Sequence, residues 1–219
     1  MKYIHKIQDS EILDITKLLV PSAGQIFSTT LAENKLFRLE LYSLAKGESI
    51  SGHNLLETTL YFVTSGTLLL NDKELKDGYF EVVEKSVRSE LLAKEDCQVL
   101  FYTFFAGPEK DSPLRNLPNN TAGLLAEQVE YRKNSVASKT LIQKAELSVT
   151  LFALDKSEGL STHAASGDAL VIPLEGTNHI EIGKKPFDIK QGDCIILPAN
   201  IAHSLKATSR FKMFLTVVK

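Results

Sequence analysis

The histidines are the side chains of this sequence whose types and positions could carry chemistry. His163 and His203 lie in the second half of the chain, and His53 lies in the first. A neutral imidazole can accept a hydrogen bond from a small molecule or offer a lone pair to a divalent cation. The sequence contains no serine nucleophile elbow, phosphate-binding glycine loop or Cys/His zinc cluster. Cys97 and Cys194 lie beside no histidine and in no Cys-x-x-Cys pair, so we expect them to be reduced core thiols.

The elements that must position these histidines are written twice in the chain. At an offset of 110 residues many positions are identical without a gap, among them His53/His163, Leu60/Leu170 and Gly66/Gly176. After one hairpin the offset becomes 114, with the coincidences Gly78/Gly192, Leu91/Leu205 and Ala93/Ala207. A repeat of this length is the size of a domain, so each copy should have its own core.

Short strand patterns alternate with turn signals in both copies. The first copy predicts strands over 35–44, 60–63, 67–70 and 99–105, and the second predicts them over 146–154, 170–174, 178–182 and 212–218. A short helical or irregular lead precedes each set, near residues 12–19 and 124–129. No crossover helices separate the strands, so the pattern predicts an all-β barrel or sandwich rather than an α/β fold.

A segment rich in proline and asparagine separates the two copies. It carries Pro108, Pro113, Pro118 and the pair Asn119-Asn120, a composition that is typical of a linker. We therefore predict an N-terminal domain over residues 1–106, a linker over 107–123 and a C-terminal domain over 124–219.

The overall composition indicates a compact protein without a strongly charged surface. Hydrophobic residues make up 43% of the chain and charged residues 24%, with a net charge of -2 and a pI near 6.2. Because no basic stripe is present, nucleic acid is not expected as a partner. The N-terminus has no apolar secretory core and no apolar run approaches the roughly 20 residues that span a bilayer, so we expect no membrane partner and a cytoplasmic location.

The second copy resembles the cupin pattern, whose two motifs have fixed spacings. The matching residues of the first motif are Gly159, His163 and Gly176, and those of the second are Gly192, Asp193, Pro198 and His203. The duplicated arrangement covers nearly the whole chain and resembles a bicupin, in particular small conserved-barrel cupins without an assigned activity. The resemblance implies an all-β fold of two tandem cupin barrels (jelly-roll, double-stranded β-helix) with short helical leads.

The resemblance also implies a metal centre, which cupins build from three histidines and one glutamate inside the barrel. In this chain the second histidine position falls on Ala165 and the glutamate position on Ala169, so only His163 and His203 remain. Imidazole and carboxylate ligands suit Fe, Mn, Zn or Ni. Asp168 is one residue from the glutamate position and should face the other way on a regular strand, unless a bulge turns it inward to complete a His-His-carboxylate triad.

The first copy departs further from the pattern. His53 is kept, but the remaining ligand positions fall on Leu55, Thr59 and Ser89. One imidazole cannot hold a metal ion, so we expect no metal in this barrel and an apolar interior. His53 is then expected to be a satisfied interior histidine with a structural role.

These residues predict a small-molecule-binding bicupin whose pocket lies in the second barrel. We expect the pocket to be lined by His163, His203, Asp168, Asn178 and Asn200, and to be non-catalytic or weakly metal-dependent. The enzymatic alternative is a metal-dependent oxygenase or isomerase, with one divalent Fe, Mn, Zn or Ni ion held by His163, His203 and Asp168. A third, purely structural alternative is that the first barrel only stabilises the second and masks a sheet edge.

The duplication also predicts how the two copies associate. We expect the barrels to pack as an intramolecular pseudo-dimer, with each lead crossing to the other barrel and covering an exposed sheet edge. A homodimer through other strands is compatible with this arrangement.

Overall fold

The computed structural model describes residues 2–105 and 114–219, and nearly all of the regular structure in them is β. A 3₁₀ helix, Ile15–Lys17, opens the first repeat. The strands up to residue 124 are β1 (Leu13–Asp14), β2 (Ile26–Glu33), β3 (Phe37–Leu44), β4 (Ser49–Asn54), β5 (Thr58–Ser65), β6 (Thr67–Leu70), β7 (Lys73–Lys76), β8 (Tyr79–Val83), β9 (Arg88–Ala93), β10 (Cys97–Phe104) and β11 (Gly123–Leu124).

The second repeat has the same order of elements. Its 3₁₀ helix is Leu125–Gln128. Its strands are β12 (Val136–Gln143), β13 (Leu147–Leu154), β14 (Gly159–His163), β15 (Asp168–Glu175), β16 (Thr177–Ile182), β17 (Lys185–Lys190), β18 (Asp193–Leu197), β19 (His203–Ala207) and β20 (Phe211–Val218). Each strand predicted from the sequence is present, with ends that agree to within two residues.

The strands form two units, each with a six-stranded and a four-stranded sheet of antiparallel neighbours. The first barrel comprises Thr16–Leu125, with sheet orders β11-β8-β5-β10-β3-β2 and β4-β9-β6-β7. The second barrel comprises the residues up to Ile15 together with Ala126–Lys219, with sheet orders β1-β18-β15-β20-β13-β12 and β14-β19-β16-β17. The predicted all-β fold of two jelly-roll barrels is confirmed.

The lead of each repeat pairs with a strand of the other repeat. β1 pairs with the edge strand β18 of the second barrel, and β11 pairs with the edge strand β8 of the first. Residues 2–15 therefore belong with 126–219, which differs from the predicted division into 1–106 and 124–219. The physical reason is that β8 and β18 are equivalent edges, so either one can accept either lead. Residues 107–113 of the predicted linker lie outside the described residues.

Two equivalent buried side chains hold the backbone where each repeat begins. In the first barrel, Gln98 Nε2 donates to the Thr16 carbonyl at 2.7 Å. In the second barrel, Lys212 Nζ donates to the Ala126 carbonyl at 2.8 Å. Because these carbonyls lie in the short 3₁₀ helices, the bonds fix the point at which each chain segment enters its own barrel.

Apolar side chains from both sheets of each barrel fill its interior. The first core includes Val63, Leu68, Leu70, Leu91 and Val99, and the second includes Val171, Ile180, Ile195, Leu205 and Met213. Gly66 and Gly176 make the tight turn after β5 and β15 with positive φ, where a Cβ would meet a backbone carbonyl.

Cys97 and Cys194 are free and buried, in agreement with core thiols. Burial raises the pKa of each thiol to about 12, so neither is a thiolate near neutral pH. Within 2–105 and 114–219, no helix has the length and apolar character that crossing a membrane requires.

Candidate functional site

The two histidines of the second barrel face each other at the end of the β14–β19 ladder. His163 is the last residue of β14, His203 is the first residue of β19, and the two are directly opposite in the ladder. Their ring centroids are 4.5 Å apart at an interplanar angle of 67°. The two rings are close, as expected for residues of one site, but the expected interior placement is wrong for His163. The rings differ in exposure, however, because His203 is 3% exposed whereas His163 is open to solvent.

A β-bulge turns His163 towards its partner. The β14–β19 register shifts between Leu160 and His163, so one extra residue is inserted on β14. Without the bulge, strand alternation would place Thr162 rather than His163 on the face that Leu160 shares with the core. The first barrel has the same shift between Ile50 and His53, so both repeats contain the β-bulge that orients this histidine.

Each ring is held by a hydrogen bond from Nδ1 to a backbone carbonyl two residues earlier in the chain. His163 Nδ1 is 2.7 Å from the Ser161 oxygen, and His203 Nδ1 is 2.9 Å from the Ile201 oxygen. Because a carbonyl only accepts, Nδ1 carries the hydrogen and Nε2 of the neutral ring carries a lone pair. Neither Nε2 has a hydrogen-bond partner within the described residues.

The environment of His203 keeps its ring neutral at neutral pH. Burial lowers its pKa below the ordinary 6.5, and repulsion from His163 lowers it further, while the bond to the Ile201 carbonyl acts in the opposite direction. His203 therefore presents an acceptor nitrogen, not a cation, above about pH 6.5.

We expect His203 to titrate below pH 6.5 in the folded protein, and the His163→Ala variant to raise that midpoint because it removes the repulsion. Ring-nitrogen NMR over a pH series measures both values. His53→Ala is the control and should leave the His203 midpoint unchanged. Because the folded pKa lies below the unfolded one, this group lowers stability progressively as pH falls below about 6.5.

The histidine pair borders the apolar core of the second barrel, because His203 is opposite the buried core residue Ile182 in the β16–β19 ladder. Ala169 and Leu197 are opposite each other in the β15–β18 ladder and belong to the core of the second barrel. Partly exposed apolar residues pack against that core, namely Val136, Phe152, Leu160, Phe187, Leu215 and Val217. The site thus combines two acceptor nitrogens with apolar surface.

Asp168 does not join the histidines, which corrects the predicted triad. Its Oδ2 accepts from the backbone N–H groups of Tyr3 at 2.6 Å and Ile4 at 3.2 Å, and its Oδ1 accepts from that of Ala199 at 3.0 Å. The β15–β20 register is regular at Asp168 and Ala169, so strand alternation places Asp168 on the face opposite the core. The bulge that would turn the carboxylate inward is absent from this part of β15.

Asn178 lies away from the histidine pair along β16, and Asn200 lies in the turn that precedes His203. Asn178 is buried, and its Oδ1 accepts from the Lys206 N–H at 3.2 Å. His203 is opposite Ile182, four residues along β16 from Asn178, which corresponds to about 13 Å of strand. Asn200 is exposed in a turn with φ 62°, and its backbone N–H donates to the Ala165 carbonyl at 2.7 Å.

The equivalent site of the first barrel is closed by a tyrosine that the sequence reasoning missed. Ser89 is opposite His53 in the ladder and takes the place of His203. The hydroxyl of the buried Tyr61 is 2.9 Å from Ser89 Oγ, and burial raises its pKa to about 12. The ring of Tyr61 packs edge-on against Phe101, which stacks on Tyr42 at 4.0 Å. The corresponding residues of the second barrel are the smaller Val171, Leu215 and Phe152.

Two predictions for the first barrel are corrected by its polar residues. His53 is exposed and not interior, although its Nδ1 is satisfied by the Ser51 carbonyl at 3.0 Å. The interior is also not purely apolar. Glu81 is two residues from the core residue Val83 on β8, so the two side chains share a face, and Glu81 forms an ion pair with Lys73 at 2.6 Å. The repeat alignment could have predicted this polar position, because it pairs Glu81 with the core residue Ile195.

The residues around the histidine pair do not fit the metal centre that cupins commonly contain. Catalytic metal sites keep three protein ligands, and this pair offers two Nε2 atoms. In the parts of the chain that the structure describes, no group of three His, Cys, Asp or Glu side chains is placed to hold a metal ion. Asp168, the nearest candidate in the sequence, already accepts three backbone hydrogen bonds.

Comparisons with known proteins agree with the class that the two barrels and the histidine positions define. The sequence model of the cupin domain family matches residues 150–219. The chain is similar to the Cupin 2 conserved barrel domain protein from Leptotrichia buccalis, with 28% identity, a TM-score of 0.82 and coverage of 98% of this chain and 99% of that one. The chain belongs to the cupin superfamily and has the two-domain architecture.

More distant structures share the fold alone. Salicylate 1,2-dioxygenase from Pseudaminobacter salicylatoxidans is 14% identical, with a TM-score of 0.59 and coverage of 87% of this chain and 76% of that one. AerE from Microcystis aeruginosa is 12% identical, with a TM-score of 0.52 and coverage of 90% and 93%. No curated protein matches the sequence significantly. One fold hosts many activities, so these similarities do not assign a function to the chain.

Proposed function

We propose that the second barrel binds a small molecule at the histidine pair without catalysing a reaction, and that the Nε2 atoms of His163 and His203 accept hydrogen bonds from it. The observation that carries this proposal is the pair of fixed tautomers. Both Nδ1 atoms are committed to backbone carbonyls, so both acceptor nitrogens are left for a ligand.

The chemistry of the pair specifies a ligand with a hydrogen-bond donor. Since the His203 ring is neutral above about pH 6.5, its Nε2 accepts from a hydroxyl or an N–H group and does not attract an anion. The core residue Ile182, opposite His203 in the ladder, favours a ligand whose remaining part is apolar, because that part leaves water on binding. A small aromatic or aliphatic alcohol has both properties.

The enzymatic alternative, a metal-dependent oxygenase or isomerase, has less support from the geometry. It requires a third ligand beside His163 and His203, and the carboxylate of Asp168 is engaged elsewhere. The similarity to a dioxygenase at 14% identity concerns the fold and not the site.

Benzyl alcohol and benzyl methyl ether form a matched pair of probes for this proposal. They have similar apolar parts, but the ether has no donor. We expect the alcohol to bind the second barrel with a Kd on the order of 1 mM, and the ether about ten-fold more weakly because one hydrogen bond is lost. Amide NMR titration of the full chain measures both constants and shows which barrel responds.

Histidine variants supply the controls for this experiment. His163→Ala and His203→Ala should each weaken alcohol binding about five- to ten-fold, whereas His53→Ala in the first barrel should not change it. Equal affinity for alcohol and ether would contradict the proposed role of the imidazoles. One equivalent of Fe, Mn, Zn or Ni, found by elemental analysis of protein purified without chelator or nickel affinity resin, would favour the enzymatic alternative.

A further inference from the structure

The turn that carries His203 is built in the same way in both barrels. In the second barrel this turn, Pro198–Ile201, is held by three backbone N–H groups: Ala199 donates to Asp168 Oδ1, Asn200 to the Ala165 carbonyl and Ile201 to the Pro198 carbonyl. In the first barrel the corresponding bonds run from Lys85 to Thr58 Oγ1, from Ser86 to Leu55 and from Val87 to Glu84. Asp168 and Thr58 are equivalent residues of the two repeats.

The second barrel adds one feature at this position. Thr58 has a single side-chain oxygen, whereas Asp168 has two and is 2% exposed. The extra oxygen, Oδ2, accepts from Tyr3 and Ile4 in residues 2–15, which we call the strap. A groove of 380 Å³ is lined on one side by the strap residues Lys2, Tyr3 and Asp9 and on the other by Asp168 and the turn. Asp168 therefore bridges two segments across this groove.

The turn leads directly to the ring of His203. The Ile201 carbonyl, at the end of the turn, accepts from His203 Nδ1 at 2.9 Å and so fixes both the tautomer and the ring orientation. A carboxylate that accepts a backbone N–H makes a charge-assisted bond, which is stronger than the bond made by a neutral hydroxyl. The bond from Ala199 to Asp168 is thus the charge-assisted one of the three bonds that hold the turn.

We infer that Asp168 is a positioning residue for the histidine site and that its two oxygens have separate tasks. Oδ1 holds the turn that orients His203, and Oδ2 docks the strap. The ligand-binding part of this inference rests on the proposed function, but the positioning of His203 does not. The assignment goes beyond the expected role of this residue as a metal ligand, because Asp168 acts on His203 through the backbone and touches neither the pair nor its ligand.

Two substitutions separate the tasks of the two oxygens. Asp168→Thr copies the first barrel, so it keeps an acceptor for Ala199 and removes the one for Tyr3 and Ile4. Asp168→Ala removes both. For each full-length variant, hydrogen exchange of these three amides reports the restraints, ring-nitrogen NMR of His203 reports the tautomer and the pH midpoint, and benzyl alcohol titration reports binding. Thr58→Ala, the equivalent change in the first barrel, is the control.

We expect Asp168→Ala to speed exchange of the Ala199, Tyr3 and Ile4 amides about ten-fold or more, to move the His203 resonances and to weaken alcohol binding. Asp168→Thr should speed exchange of the strap amides alone and keep binding within about two-fold of the original chain. Thr58→Ala should leave all His203 readouts unchanged.

An unaltered His203 spectrum in Asp168→Ala would overturn the inference, and so would equal loss of His203 order in Asp168→Thr and Asp168→Ala. If Asp168→Ala does not fold, Asp168→Thr still tests the inference. In that variant the Tyr3 and Ile4 amides must exchange faster while the Ala199 amide keeps its exchange rate. Failure of the original chain to bind benzyl alcohol contradicts the proposed function only, since the exchange and ring-nitrogen measurements need no ligand.

Discussion

The double substitution Ile4→Ala and Ile7→Ala will unfold the second barrel and leave the first barrel folded. Both side chains are fully buried, at 0% and 1% exposure, and they belong to the unit formed with residues 126–219. Replacement of a buried isoleucine by alanine costs about 2–5 kcal/mol, so the pair costs about 4–10 kcal/mol. That loss is as large as the whole stability of many domains, about 5–15 kcal/mol.

Hydrogen exchange with peptide-level detection distinguishes the two barrels in this experiment. Peptides from residues 126–219 should lose protection in the double variant, and peptides from 16–105 should keep it. Ile12→Ala is the matched control, because Ile12 lies in the same strap but is 41% exposed and should cost no more than about 0.5 kcal/mol. Loss of protection in the first barrel instead would show that the strap stabilises its own repeat.

The strands could be predicted from the sequence more readily than the unit to which each lead belongs. The strands follow from alternation and turn residues, which are local properties that two copies of the pattern confirm. The division of the chain into units is harder to predict, because the apolar residues before β2 and β12 would fit either repeat. Ile15 and Leu125 are both fully buried, each in the unit that the pattern alone would not select.

The histidine pair was predictable because its position depends on motif spacing, but the pocket residues around it were not. Strand alternation predicts that Asp168 and Ala169 point to opposite faces of β15, and the regular β15–β20 register agrees with this. Asn178 shares the face of Ile180 and is buried, yet its distance along the strand from His203 depends on the pairing register, which the motif does not specify. The backbone bonds that Asp168 accepts from Tyr3 and Ile4 join residues more than 160 positions apart, so no local pattern reports them.

The contact between Tyr61 and Ser89 in the first barrel could not be predicted from the repeat alignment. The alignment of Tyr61 with Val171 shows that the tyrosine side chain is larger, but not that the hydroxyl reaches Ser89. The loss of a histidine at Ser89 and the gain of a hydroxyl at Tyr61 are therefore one change in the structure and two unrelated changes in the sequence. This asymmetry supports the proposal that the second barrel, and not the first, binds the ligand.

Cleavage of the chain within residues 106–113 will leave its two fragments associated. Each fragment carries the lead that completes the other fragment's barrel: β1 lies on the edge of β18, and β11 lies on the edge of β8. Separation would remove Ile4, Ile7 and Ile15 from the second barrel and Leu125 from the first, and all four are buried. It would also expose two sheet edges, so dissociation and retention of both folds are not compatible.

A protease site introduced into residues 106–113 tests this prediction on a sizing column. We expect the cleaved protein to elute with the uncleaved chain at neutral pH. The same cleavage in the Ile4→Ala, Ile7→Ala variant should release the fragments, because the strap then no longer holds its barrel. The two fragments of the cleaved Ile12→Ala variant should remain associated and elute with the uncleaved chain. Fragments of the original chain that separate and stay folded would show that the exchanged leads are dispensable and that each repeat is an independent domain.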